Sequence, residues 1–283
     1  MEMIDFLSYG FIQRALVTGF FIAVLCSFLG FFLVLRRLSL IGDGLAHVTF
    51  GSVAVALLLK AFTLYISIPI VMLSSLGILK LIERGKLHGD AAIGIVSSLG
   101  IAFGILLASL GGGLNIDLFS YLFGNILAIS QEEMILSILL SGVVFLVILF
   151  FYHDLLSITF DEESAKASGI KTRRINTLLF LLTAVTVVLT MKVVGILLTS
   201  ALLILPAVTS LQVSKGFKAS LLISSLVGVL SVIAGWALFF SALNLAIYGV
   251  CMAASFHLFV LLYEEPHLRR VFGASYEWNP FSR

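Results

Sequence analysis

The sequence predicts an all-α, polytopic integral membrane protein of about eight or nine transmembrane helices, and three observations carry that prediction. Hydrophobic residues make up 60 % of the 283-residue chain and charged residues only 11 %, against roughly 25 % charged residues in a soluble domain. Apolar stretches long enough to cross a bilayer, about 20 residues each, recur along the chain, which has a mean hydropathy of +1.18. Lysine and arginine gather in alternate connections between those stretches. The alternation of an outer-membrane barrel is absent, and backbone groups in lipid must be satisfied within their own segment, so the stretches read as helices.

The first stretch covers about residues 15–35 and ends at Arg36-Arg37. Met1-Glu2-Met3-Ile4-Asp5 carries no basic region, and no small-residue cleavage site follows, so the stretch is expected to stay as a span rather than be cleaved as a signal. Spans are next expected at about 39–59 and 62–82. Residues 38–83 lie between two basic clusters and make roughly 69 Å of helix, enough for two crossings. A fourth span falls at about 91–110. Gly111-Gly112-Gly113 through Asp117 to Asn125 is too polar and glycine-rich for a plain span. It reads either as a short helix or re-entrant segment at the mouth of a pathway, or as an external loop with a glycine turn.

A fifth span at about 131–152 precedes the longest connection on the basic side, Tyr152 to Arg174. Within it Asp161-Glu162-Glu163-Ser164-Ala165-Lys166-Ala167-Ser168-Gly169 reads as a short helix, with acidic residues in its first turn and glycine as its stop signal. Its small residues, Ala165, Ala167, Ser168 and Gly169, leave a surface that another protein can approach closely. Residues 175–214 give only about 60 Å of helix, so the spans at about 175–191 and 193–211 are expected to make a short, tilted or partly re-entrant hairpin at Lys192. Spans at about 219–241 and 245–263 complete the chain, and no linker or low-complexity segment divides residues 1–283 into further domains.

Cytoplasmic connections hold the excess of Lys and Arg. With the N-terminus outside, Arg36, Arg37, Lys80, Arg84, Lys86, Lys166, Lys171, Arg173, Arg174, Lys215, Lys218, Arg269, Arg270 and Arg283 fall inside, and only Arg14, Lys60 and Lys192 fall outside. The expected placement is therefore multi-pass in the cell inner membrane, with a cytoplasmic C-terminus.

Gly42-Asp43-Gly44-Leu45-Ala46-His47 sets a carboxylate and an imidazole four residues apart in a stretch otherwise apolar from Leu38 to Leu59. Ionisable groups at membrane depth are costly and are functional candidates by default. Four residues of helix bring both side chains to one face, roughly 6 Å apart, where they can share one cation. The competing reading is an intramembrane hydrogen-bonded pair, or an N-cap aspartate at the start of the second span with a histidine reaching to the interface. Asp oxygen and His nitrogen suit zinc, manganese or iron, and no thiolate lies beside them. Two ligands are too few for a closed site, and a twofold axis between identical subunits would supply two Asp and two His.

Other polar positions carry less. His257, His153-Asp154 and Glu264-Glu265-Pro266-His267 read as a packing histidine and as solvated boundary residues. Cys26 and Cys251 read as buried packing. Pro206 breaks the hydrogen bonding of its helix and is a candidate for shaping a pathway. The chain has no Gly-x-x-x-x-Gly-Lys-Ser/Thr loop to hold nucleotide phosphates, so if ATP drives it, another chain hydrolyses the ATP.

Taken in order, Arg36 to His47, Ala92-Ile93-Gly94-Ile95, Asp117 to Leu127, Ala167-Ser168-Gly169-Ile170, Met191-Lys192-Val193-Val194-Gly195 and Ala201 to Ala207 resemble the membrane permease subunits of bacterial ABC importers for zinc and manganese. The resemblance implies a fold similar to type II ABC importer permeases and a transport subunit with no enzymatic activity of its own. It also implies a second permease copy or paralogue, a cytoplasmic ABC ATPase dimer and an extracytoplasmic metal-binding solute-binding protein. By the same resemblance no cofactor is expected to be held permanently, a divalent metal ion is expected as the cargo, and lipid rather than nucleic acid is expected around the chain. In such permeases the Asp-x-x-x-His pair, here Asp43 and His47, contributes to a metal site in the pathway. The loop at about 152–174 corresponds to the coupling helix, with Asp161, Glu162, Glu163, Ala165 and Gly169 as its ATPase-coupling residues. Gly42, Gly44, Asn125 and Pro206 are the pathway-shaping candidates. Gly44 departs from the family pattern, where relatives often carry Ala or Thr. Glycine lowers helix stability by about 1 kcal/mol, so local unwinding is expected near Asp43.

Three rival classes fit less well. A secondary metal transporter of the cation-diffusion type needs a second ligand pair on another helix, and none is found. An intramembrane protease lacks His-Glu-x-x-His and the Gly-x that precedes Gly-Asp in the aspartyl type. A permease for a metal chelate or vitamin would not need a charged chelating pair.

Overall fold

The computed structural model describes residues 10–85, 87–111, 116–124 and 129–240, in which every regular element is an α-helix. Eight of these helices are long and apolar enough to cross a membrane. They are α1 (Gly10–Leu35), α2 (Ile41–Leu58), α3 (Thr63–Gly85), α4 (Gly89–Leu110), α6 (Gln131–Phe150), α9 (Thr172–Val193), α10 (Ile196–Val213) and α11 (Phe217–Phe240). Three short helices, α5 (Ile116–Phe123), α7 (Tyr152–Phe160) and α8 (Glu162–Ala167), lie in the two longest connections. The ninth span expected at about 245–263, Asn125, Cys251, His257 and the segment from Glu264 lie outside the described residues. The packing is that of one unit, Met1–Ile233; Ala234–Arg283 form a second unit, into which α11 continues.

The hairpin at Lys192 has one full-length and one short arm: α9 starts at Thr172 and runs 22 residues, while α10 has 18. Only Val194 and Gly195 join the helices, and Gly195 makes the reversal at φ 93°, ψ 157°, a conformation open only to glycine. Of the two readings of residues 111–125, the short helix is the one observed, as α5.

Consecutive crossings alternate, so residues 36–40, 87–88, 151–171 and 214–216 share one face of the bundle, and 59–62, 111, 116–124, 129–130 and 194–195 share the other. Ion pairs bind each face together. On the first, Arg36 pairs with Glu162 and Arg173 with Glu83; on the second, Lys192 pairs with Glu133.

Among the spans, α2 and α9 are the most deeply buried. The closest packing of α2 is against α4. Gly100 and Gly104, one turn apart on α4, allow it: a Cβ on Gly100 would stand 2.7 Å from the Cα of Val48, and one on Gly104 would stand 2.5 Å from the Phe50 ring. Small residues spaced by four are what bring helix backbones together where no hydrophobic effect separates helix from lipid. Against its other sides α2 meets α3, α10 and α9, so the helix carrying Asp43 and His47 is held by four neighbouring spans.

Candidate metal site and coupling segment

Asp43 sits in the first turn of α2, at its third residue, and His47 one turn further on. The N-cap is Leu40, which makes no side-chain cap, so Asp43 does not cap this helix. Asp43 Oδ2 lies 3.5 Å from His47 Nε2, with the side chains 56 % and 29 % exposed respectively. Both side chains are therefore partly exposed rather than sealed in the core. Ligand atoms 3.5 Å apart match neighbouring corners of a tetrahedral sphere with bonds of about 2.1 Å.

The expected unwinding at Gly44 does not occur. Its N–H donates to the Leu40 carbonyl at 3.0 Å, and α2 runs unbroken from Ile41. A Cβ at Gly44 would press on the Ile93 side chain of α4, so the glycine serves close packing instead. Gly42 plays the same part toward α10, where a Cβ would stand 2.8 Å from Leu203 Cδ1.

One residue of the site was not legible in the sequence. Ser200, in the second turn of α10, donates its hydroxyl to Asp43 Oδ1 at 3.5 Å. A lone serine in an apolar run gives no signal until the tertiary fold sets it beside a carboxylate. Pro206 is buried six residues further along α10, about 240° around the helix from Ser200, so it faces away from Asp43. Among the described residues no cluster of three or more His, Cys, Asp or Glu side chains forms a metal centre. Within one chain the site amounts to one carboxylate, one imidazole and a neighbouring hydroxyl.

On the same face as the start of α2, α7 and α8 form the longest connection between spans. Asp161 caps α8: its Oδ1 accepts from the Glu163 and Ser164 amides at 3.0 and 3.2 Å, and its Oδ2 accepts from the Ser164 hydroxyl. The Ser164 bonds hold its carboxyl below the usual range. The helix stops as the sequence predicts. Gly169 adopts φ 87°, its N–H donates to Lys166 O and that of Ile170 donates to Ala165 O, both at 3.1 Å, the paired bonds of a Schellman ending.

Ala165 packs into the chain's own core, 4 % exposed. It therefore does not belong to the approachable small-residue surface, which consists of Ala167, Ser168 and Gly169. Glu163 and Glu162 are both exposed, but the Glu162 carboxylate also reaches its own chain, accepting from Arg36 Nη2 at 3.2 Å and from Asn176 Nδ2 at 2.9 Å. Burial lowers the Arg36 pKa, and the Glu162 charge offsets part of that effect. Cys26 is buried, with Sγ 3.2 Å from Thr190 Oγ1, as a packing thiol.

Three comparisons bear on this arrangement. The sequence profile of the ABC 3 transport family matches residues 8–263. The manganese transport system membrane protein MntC of Halalkalibacterium halodurans is 33 % identical over 249 residues, covering 88 % of this chain and 83 % of that protein. The manganese import system permease protein ScaB of Streptococcus gordonii is 36 % identical over 220 residues, covering 78 % of this chain and 79 % of that protein. Among solved structures, PsaBC from Streptococcus pneumoniae in complex with Fab matches with a TM-score of 0.80 and 32 % identity, over 90 % of this chain and 93 % of that one.

Proposed function

The chain belongs to the ABC 3 transport family, and from that premise we propose that it carries a divalent transition metal, manganese first, past Asp43 and His47 into the cytoplasm. It is the membrane permease subunit of a metal ABC transporter, with ATP hydrolysis on a separate chain. The observation that supports the metal site is the Asp43–His47 pair at 3.5 Å, its side chains partly exposed, on one of the two most buried spans. Manganese is favoured because the named relatives are manganese permeases; the ligand pair itself suits zinc, manganese or iron alike.

The remaining parts of the proposal follow from chemistry. Two ligands leave most of the coordination sphere open, and a second copy across a twofold axis would add its own Asp and His. A half-site from each subunit also suits a pathway, since an ion held by few ligands is released readily. The basic face, with Arg36, Arg37, Arg84, Lys166, Lys171, Arg173, Arg174, Lys215 and Lys218, is the cytoplasmic one, which puts the N-terminus outside. An extracytoplasmic binding protein would deliver the metal to the opposite face.

Residues 161–169 would dock on a cytoplasmic ATPase through Ala167, Ser168 and Gly169, with Asp161 and Glu163 beside them. Co-purification tests this. Ala167→Trp overfills the contact without touching the chain's own core, at a cost of roughly 1–3 kcal/mol, or about ten-fold or more in affinity. The ATPase should be lost from the purified variant. An ATPase that stays bound to Ala167→Trp as firmly as to the wild type would contradict the docking.

A further inference from the structure

The half-exposed Glu162 carboxylate is clasped by two largely buried groups from different parts of the fold. Arg36 Nη2 donates to Oε2 at 3.2 Å and Asn176 Nδ2 donates to Oε1 at 2.9 Å. Arg36, its side chain 10 % exposed, follows the last residue of α1 and leads through residues 37–40 into α2, seven residues before Asp43. Asn176 lies in the second turn of α9, the most buried span among those described. The short helix α8 is thus fastened to the arm that carries Asp43 and to the centre of the bundle through one carboxylate.

Both clasping residues are only half satisfied. Arg36 Nη1 and Asn176 Oδ1 are buried without a hydrogen-bond partner. A buried polar group left unpaired is uncommon and calls for a reason, and here the two orphans are a donor and an acceptor flanking the same carboxylate. They are complementary to each other. Glu162 engages a different atom of each group, Arg36 Nη2 and Asn176 Nδ2.

We propose that Glu162 is a coupling bolt with two arrangements: engaged, as observed, and released, with Asn176 Oδ1 taking over a donor of Arg36. The proposal rests on the reading that residues 161–169 dock on the ATPase. A pull on α8 is passed through Glu162 to Arg36 and so to the first turn of α2, where Asp43 and His47 stand. The Arg36–Asn176 bond then compensates for the broken pair, so the two arrangements are close enough in free energy for the ATPase to switch them. Arg36, Glu162 and Asn176 are positioning residues, acting on the cargo site through the backbone of α2.

The test uses the permease assembled with its ATPase in sealed vesicles, with manganese import and ATP hydrolysis measured together. Asn176→Leu keeps the Arg36–Glu162 pair and removes the alternative acceptor together with the Nδ2 donor to Glu162. The double variant R36M/E162M removes the pair without leaving a buried charge behind. In both, manganese imported per ATP hydrolysed should fall by about five-fold or more while the ATPase still co-purifies. The exchanged pair R36E/E162R should recover much of the ratio. A wild-type ratio in Asn176→Leu and in R36M/E162M would overturn the bolt. Loss of the ATPase from R36M/E162M would also overturn it, by making Glu162 a direct contact of the ATPase. A wild-type chain that binds no ATPase or imports no manganese would instead contradict the underlying reading.

Discussion

Lys192 Nζ lies 3.1 Å from Glu133 Oε1, joining α9 to α6, with the two side chains only 18 % and 12 % exposed. The same ammonium donates to the Tyr121 hydroxyl at 3.4 Å, and that hydroxyl shares a hydrogen bond with Thr63 Oγ1 at 2.9 Å. Glu133 has a second duty. Its Oε2 accepts from the Ser130 amide while the Ser130 hydroxyl accepts from the Glu133 amide, so one carboxylate is both the capping box of α6 and the counter-ion of Lys192.

Removing one member of that pair leaves a buried charge alone. Lys192→Met should destabilise the permease by about 3–5 kcal/mol, read as a lower midpoint of thermal unfolding in detergent. The double variant Lys192→Met, Glu133→Gln leaves no charge behind and should recover most of the loss. A single variant as stable as the wild type would show the pair to be dispensable.

Gly195 and Gly124 meet backbone to backbone, each at positive φ, with a Cβ on Gly124 standing 2.6 Å from the Val194 carbonyl carbon. Gly195→Ala should cost about 1–3 kcal/mol from backbone strain alone, with the contact to Gly124 adding to it. Gly142 in α6 is the control, since a Cβ there meets nothing within 4 Å, and Gly142→Ala should be neutral or stabilising. The monodisperse fraction of each variant on size exclusion measures the contrast; equal yields for the two would refute it.

The orientation is checked with single cysteines in a background lacking Cys26 and Cys251. Leu59, exposed at the end of α2, and Ser164, exposed on α8, lie at opposite faces. An impermeant thiol reagent should label Leu59→Cys in intact cells and Ser164→Cys only after permeabilisation. The reverse pattern would invert the protein in the membrane.

The sequence carried the number and order of the described spans because hydropathy and the positive-charge bias are local properties. It carried both ends of α8 because an N-cap aspartate and a stop glycine are local too. It placed Asp43 and His47 on one helix face from their spacing alone. It misjudged Gly44, since glycine propensity speaks for unwinding while Ile93, 49 residues away in the chain, supplies the packing reason for its absence. Ser200, Asn176 and the inward turn of Glu162 were out of reach for the same reason. Each acquires its role from a neighbour distant in the sequence, and Glu162 looks in isolation like any solvated acidic residue.

The account depends most on Asp43 and His47 handling the cargo. Manganese uptake by the assembled complex in vesicles, measured for Asp43→Ala and His47→Ala beside the wild type, tests this directly. Both substitutions remove a ligand from a partly exposed position and should leave folding and ATPase binding intact while reducing uptake by about 10-fold to 100-fold. Uptake close to wild type in both variants, with the ATPase bound, would contradict the metal site and with it the pathway drawn through α2.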